Sequence, residues 1–167
     1  MLFRSGGGSD LIFPHHEMGS AQAECISGKE FARAYVHTGM IGLDGEKMSK
    51  SRGNLVFVSD LRGKYDPNAI RLALLMGHYR SNRDWSSDLI NHAASKLTLW
   101  RSTLAHSIGS DSTSTIAKIV ESLSSDLDTP AAIGHIDDWM KEQKGKGDVS
   151  GPGKITRAID ALLGLAL

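Results

Sequence analysis

The sequence predicts a chain in two parts: a loop-rich α/β segment of some 60 residues, then a mainly α-helical bundle, divided as 1–65 and 66–167. Two observations carry that expectation. Glycine, histidine and short β-branched runs crowd the first fifty residues, whereas from residue 66 onward apolar side chains recur at spacings of three and four. The second pattern marks helices with one buried face.

Gly6-Gly7-Gly8-Ser9-Asp10 opens the first part as a loop. A helix is expected from about Glu17 to Gly28, since Ala21, Ala23 and Glu24 favour it and Ser27-Gly28 ends it. Tyr35 to Leu43 reads as a strand interrupted by Gly39 and Gly42, ending in the tight-turn pair Asp44-Gly45. Glu46 to Asn54 follows as a loop, Leu55 to Val58 as a short strand-like run, and Ser59 as the cap of a short helix through Lys64.

In the second part, Asp66-Pro67 caps a helix carrying Ile70, Leu72, Leu74 and Leu75 that stops near Gly77. Ser86 caps the next, with its apolar face on Ile90, Ala93, Ala94, Leu97, Trp100 and Leu104. After a polar loop from Ser107 to Ser114, a helix runs from Thr115 to about Ser124 on Ile116, Ile119, Val120 and Leu123. Thr129-Pro130 starts another, on Ala132, Ile133, Ile136, Trp139 and Met140. Lys141 to Gly153 reads as a loop, and the last helix covers about Lys154 to Leu163.

The composition narrows the function. With 40% apolar residues and 19 Lys+Arg against 19 Asp+Glu, neither a disordered chain nor a grossly basic nucleic-acid binder is indicated. Apolar stretches such as Ala73 to Met76 fall far short of the roughly 20 residues that cross a bilayer. A soluble chain with no membrane partner is expected. The one cysteine, Cys25, allows no internal disulfide, and Met1 to Ser5 lacks a secretory core, so a cytoplasmic setting is expected. Cys25 itself reads as a small buried residue.

Three clusters could carry chemistry. Lys47-Met48-Ser49-Lys50-Ser51, with Arg52-Gly53 after it, suits a polyphosphate: mobile cations meet phosphate oxygens while hydroxyls and amides donate. On charge alone, a solvated basic loop explains it better. Gly8, Ser9 and Asp10 offer close backbone approach and a carboxylate for a ribose diol, but a flexible turn accounts for the glycines equally. His15, His16 and Glu17 form a potential ligand cluster in which adjacent imidazoles point apart, so at most one ligates. Trp85, Trp100 and Trp139 read as packing residues, and His78-Tyr79-Arg80 with Asp84 as a polar break that either positions a substrate or solvates a turn.

In register, Gly-Gly-Gly-Ser-Asp-Leu-Ile-Phe-Pro-His-His-Glu, then His37-Thr38-Gly39-Met40, then Lys-Met-Ser-Lys-Ser-Arg-Gly-Asn closely resemble the second half of a class I cysteine-activating enzyme. That family includes cysteinyl-tRNA synthetase and the cysteine ligase of mycothiol biosynthesis. The resemblance implies the C-terminal part of a Rossmann-like catalytic domain followed by the helical bundle. It implies that Gly8, Ser9 and Asp10 hold the adenylate ribose and that Ile41 turns its main chain to the adenine. Lys47, Met48, Ser49, Lys50 and Ser51 would form the mobile signature loop, with Lys47 and Lys50 catalytic, and His15 would ligate a Zn2+ that grips the substrate thiolate. ATP, with Mg2+, and L-cysteine would be substrates. A soft thiolate bonds such a metal better than a hydroxyl does.

Within the family, the expectation is the ligase that passes cysteine from its adenylate to the amine of glucosaminyl-inositol. Gly19 stands where the synthetase has a glutamate ligand, and Ala161 to Leu165 comes about where the ligase ends. Residues 91–167 hold eight Lys+Arg against nine Asp+Glu, a poor surface for tRNA. The alternatives are a cysteinyl-tRNA synthetase fragment and, in another class, a non-catalytic remnant or binding module. The family's upstream half, with its nucleotide signature and zinc cysteines, is not in this sequence, so the chain is expected to be a C-terminal fragment, inactive alone, of an enzyme monomeric when intact.

Overall fold

The computed structural model describes residues 2–106, 109–142 and 150–167. The chain divides into two compact units. The first holds the residues up to Asn54 together with Tyr79–Trp85, and the second holds Leu55–His78 and Ser86–Leu167. The observed division therefore differs from 1–65 and 66–167: it falls eleven residues earlier, and a later strand returns to the first unit.

In the first unit, β1 (Ser5–Gly8) pairs in parallel with β2 (Tyr35–Thr38), and α1 (Glu17–Ser27) lies between them in the chain. The glycine run is thus a strand rather than a loop. Its register, from Ser5↔Tyr35 to Gly8↔Thr38, comes from a partner thirty residues away, which no local pattern announces. The helix ends where expected, at the left-handed Gly28 (φ 64°) whose N–H donates to Glu24 O. The expected strand from Tyr35 to Leu43 is two: β2 belongs to one sheet and β3 (Ile41–Leu43) to another. β3 pairs antiparallel with β4 (Glu46–Lys47) through the turn Asp44-Gly45, and in parallel with β5 (Arg83–Trp85). Two residues of the expected Glu46–Asn54 loop are therefore strand.

In the second unit, Leu55 to Val58 forms no strand: α2 (Val58–Arg62) opens at Val58 with Phe57, not Ser59, at its cap. Phe57 and Val58 are each 55% exposed, and among the described residues no sheet edge within the unit takes up the run. α3 (Pro67–Leu75) is capped by Asp66, whose carboxylate accepts from Asn68 N–H at 2.8 Å, and α4 (Ser87–Leu104) by Ser86, which accepts from Leu89 N–H at 3.1 Å. α5 (Thr113–Ser124) buries Ile119 and Ser122 but leaves Val120 46% exposed, against expectation. α6 (Thr129–Lys141) buries all five residues of its expected face, and its cap is Asp128. α7 (Gly151–Leu163) begins three residues early because Pro152 starts a helix rather than breaking one. Of the expected loops, residues 107–108 and 143–149 lie outside the described residues.

The second unit's core gathers Leu72, Ile90, Trp100, Ile119, Ile136, Ile155, Ile159 and Leu163, none more than 2% exposed. Trp100 donates its indole N–H to Asp137 at 2.9 Å, which satisfies a polar atom carried into the core. Among the described residues, no helix is long and apolar enough to cross a membrane.

Candidate active site

β1 ends at Gly8, and the chain turns at once into the short 3-10 segment Ser9–Leu11. The carboxyl end of a parallel strand is where open α/β sheets place ligands. A Cβ on Gly8 would come within 2.5 Å of Asp10 Oδ1 and 3.1 Å of Met40 Sδ, so a larger residue there would push those two side chains aside. Asp10 is thereby folded back over the strand end.

The basic loop begins on β4. Lys47 Nζ donates to Asp10 Oδ2 at 2.6 Å, joining the glycine turn to a segment 37 residues later. That bond from Lys47 holds the Asp10 carboxyl below the usual carboxylate range. Beyond it, Ser49 N–H donates to Asn54 Oδ1 at 2.9 Å and Asn54 Nδ2 to Lys47 O at 3.3 Å, so Asn54 clasps the loop across its base. The Ser49 and Ser51 hydroxyls lie 3.2 Å apart. Arg52 pairs with Glu46 at 2.6 Å, while Lys50 and Ser51 lie exposed on the turn Lys50–Arg52 and Met48 is half-buried. Two flexible cations, Lys47 and Lys50, thus lie on a loop held at both ends and open to a ligand.

Of Gly8, Ser9 and Asp10, it is Asp10 that meets Lys47 directly. Ile41 is half-buried on β3 opposite Arg83, next to Gly42, which pairs with Lys47. A recess of about 180 Å³ lies there, lined by Met40, Gly42, Gly45, Glu46, Lys47, Asn82, Arg83 and Asp84. Burial lowers the Arg83 guanidinium from its ordinary value.

His15 is exposed, its ring 5.8 Å from that of His16. His16, half-buried, shares a hydrogen bond with His37 across 2.8 Å, and both line a cavity of about 480 Å³ with Glu17, Ser20, Glu24 and Tyr35. Among the described residues no three metal-binding side chains converge, so the donors here do not make a zinc site by themselves. Cys25 is exposed, not buried as expected: it lies on α1, which buries none of its residues. The sequence reading missed the His16–His37 pair, whose only signal is the parallel register that sets Gly7 beside His37, and the Asn54 clasp, signalled by an asparagine just after the left-handed Gly53.

Residues 3–95 match the family described as tRNA synthetases class I (C) catalytic domain. The chain belongs to that family. Its mixed α/β first part is the family's catalytic fold, and a helical bundle follows. It is 54% identical over 166 residues to the L-cysteine:1D-myo-inositol 2-amino-2-deoxy-alpha-D-glucopyranoside ligase of Rhodococcus erythropolis, a match covering 97% of this chain and 40% of that one. It is 50% identical over 166 residues to the enzyme of the same name from Streptomyces coelicolor, covering 97% and 41%. The chain thus spans about 40% of the length of these curated relatives. In fold it is similar to the LeuRS of Agrobacterium radiobacter K84 agnB2, solved in a ternary complex with tRNA and LeuAMS, with a TM-score of 0.70 at 17% identity over 98% of this chain and 26% of that one.

Proposed function

We propose that this chain is the C-terminal part of an ATP-dependent ligase that activates L-cysteine as cysteinyl-adenylate and transfers it to the amine of glucosaminyl-inositol. The observation that carries the reading is the 54% identity to a curated ligase of that substrate class over 97% of the chain, helical bundle included. In the first step the cysteine carboxylate attacks the α-phosphorus of ATP and pyrophosphate leaves. In the second, the sugar amine attacks the acyl carbon, AMP leaves with the bonding pair, and the amine loses a proton.

The chain's own residues serve the first step. Asp10 accepts the ribose hydroxyls over the bare backbone of Gly8 and Ser9. Lys47 and Lys50, with the Ser49 and Ser51 hydroxyls, meet the negative charge that grows on the departing pyrophosphate, and Mg2+ accompanies the phosphates. Phosphoryl chemistry gains chiefly from such placement of cations. Because Asp10 holds Lys47 at 2.6 Å, the ribose competes for the same carboxylate and sets Lys47 free for phosphate. A Zn2+ would take His15 as one ligand, with the others supplied from outside this chain, and would offer a soft acid for the thiolate. A cytoplasmic, monomeric enzyme belongs to the same proposal.

The test joins this chain to the N-terminal part of the Rhodococcus erythropolis relative. Cysteine-dependent ATP–pyrophosphate exchange, followed by amide formation with glucosaminyl-inositol and not with tRNA, is the expected result. Exchange followed by tRNA charging would assign the chain to a synthetase. A folded chimera without exchange, beside an active parent, would remove the catalytic reading.

A further inference from the structure

The hairpin that delivers Lys47 is too short to hold itself. β3 and β4 share two residue pairs, Gly42↔Lys47 and Leu43↔Glu46, across a turn whose residues Asp44 (φ 54°) and Gly45 (φ 77°) are both left-handed. Such turns match the twist of a hairpin, but a lone two-stranded ribbon is marginal in water. Its support comes from β5, about forty residues later. Asn82 Oδ1 accepts from Met40 N–H at 2.8 Å where β3 is entered, and Asp84 Oδ2 accepts from Gly45 N–H at 2.8 Å where the turn closes. The other Asp84 oxygen lies against Gly42, where any Cβ would clash with it. Asp84, Gly42 and Lys47 stand in one row across the three strands.

A carboxylate that only solvated a turn could face water anywhere along it. Asp84 instead bonds the Gly45 amide inside the hairpin turn, and from β4 of the same hairpin Lys47 reaches Asp10 at 2.6 Å. We infer that Asp84 is a positioning residue for the signature loop: its hydrogen bond to Gly45 sets the hairpin at the angle from which Lys47 meets Asp10 and the nucleotide phosphates. The phosphate half of this statement rests on the proposed function; the coupling of Asp84 to the Lys47–Asp10 contact does not. What the Gly45 amide requires is an acceptor, so an asparagine oxygen serves as well as a carboxylate.

The coupling is read in the 167-residue chain by following the Asp10 carboxyl through an NMR pH titration. Lys47 holds that carboxyl low, so Asp84→Ala should raise it toward the ordinary value of about 3.9, while Asp84→Asn should leave it where it is. An Asp10 titration unmoved by Asp84→Ala, or moved as far by Asp84→Asn, overturns the inference. If Asp84→Ala unfolds the first unit, Asp84→Glu replaces it: a longer acid must displace the hairpin, and an unchanged Asp10 then counts against the proposal. In the chimera, Asp84→Ala should lower kcat for pyrophosphate exchange about 10- to 100-fold with KM for cysteine unchanged, and Asp84→Asn should restore it. Exchange unaffected by Asp84→Ala would end the catalytic half. A chimera that never exchanges indicts the function, and the Asp10 titration still decides the coupling.

Discussion

Among the described residues, the first unit buries only Ala32 and Trp85 of its apolar side chains, each still 8% exposed, and exposes Phe3, Phe13 and Ile26, whereas every other buried apolar residue, Trp100 among them, belongs to the second unit. The first unit is ordered instead by strand ladders and by single polar clamps: Asp84 on Gly45, Asn82 on Met40, Asn54 on Ser49, Asp10 on Lys47. The two regions thus respond differently to damage. Cutting a side chain in the second unit removes burial and lowers stability. Cutting a polar clamp in the first should chiefly displace a lysine or a carboxylate and leave the second unit's core intact.

The largest expected effect tests the second unit. Trp100 is fully buried and anchors its indole on Asp137, so Trp100→Ala should cost about 3–5 kcal/mol in denaturant melts followed by helical circular dichroism. A loss far smaller than this would mean that the bundle is not held by its core. Next comes the first unit's chemistry. Lys50→Ala in the chimera should slow adenylation by about 10²–10³, as removal of a charge-stabilising donor does. Its denaturation midpoint should stay put; a shift comparable to that of Trp100→Ala would erase the distinction between the regions.

Asp66 sharpens the comparison through pH. Arg101, bonded at 2.6 Å, and then the Asn68 amide hold its carboxyl below the usual range. A depressed folded value means that the stabilisation is complete above the unfolded pKa of about 3.9 and drains away as pH falls through the lower folded value. Asp66→Ala should therefore cost about 1–2 kcal/mol near pH 7, mostly as a lost helix cap, and the gap to the parent should begin to narrow as pH falls below about 4. A gap independent of pH would take the carboxylate's charge out of the account. The smallest stability effect belongs to Lys47→Met: with both partners exposed to solvent, melting should not change, while amide exchange across Glu46–Asn54 should quicken. Unchanged exchange would show that Asp10 does not tether the loop.

Local rules made the second part of the chain legible. Asp66-Pro67 and Ser86 begin helices because a short oxygen satisfies an amide within three residues of it, Thr129-Pro130 marks the start of α6 although Asp128 caps it, and the spacing of Ile133, Ile136, Trp139 and Met140 marks its buried face by itself. The glycine turn and the signature loop could also be found in the sequence, being contiguous runs with their own chemistry. Strand identity could not: Gly6 to Gly8 are strand because Val36 to Thr38 lie beside them, and Leu55 to Phe57 are not because no strand among the described residues pairs with them. For the same reason Val120 faces outward despite its spacing, and Asp84, an ambiguous acid in a polar break, becomes the brace of a hairpin forty residues back. What a residue does with its nearest neighbours along the chain is written in the sequence. Which distant backbone it meets depends on the free energy of the whole packed unit, and in this protein that meeting decides where Lys47 stands.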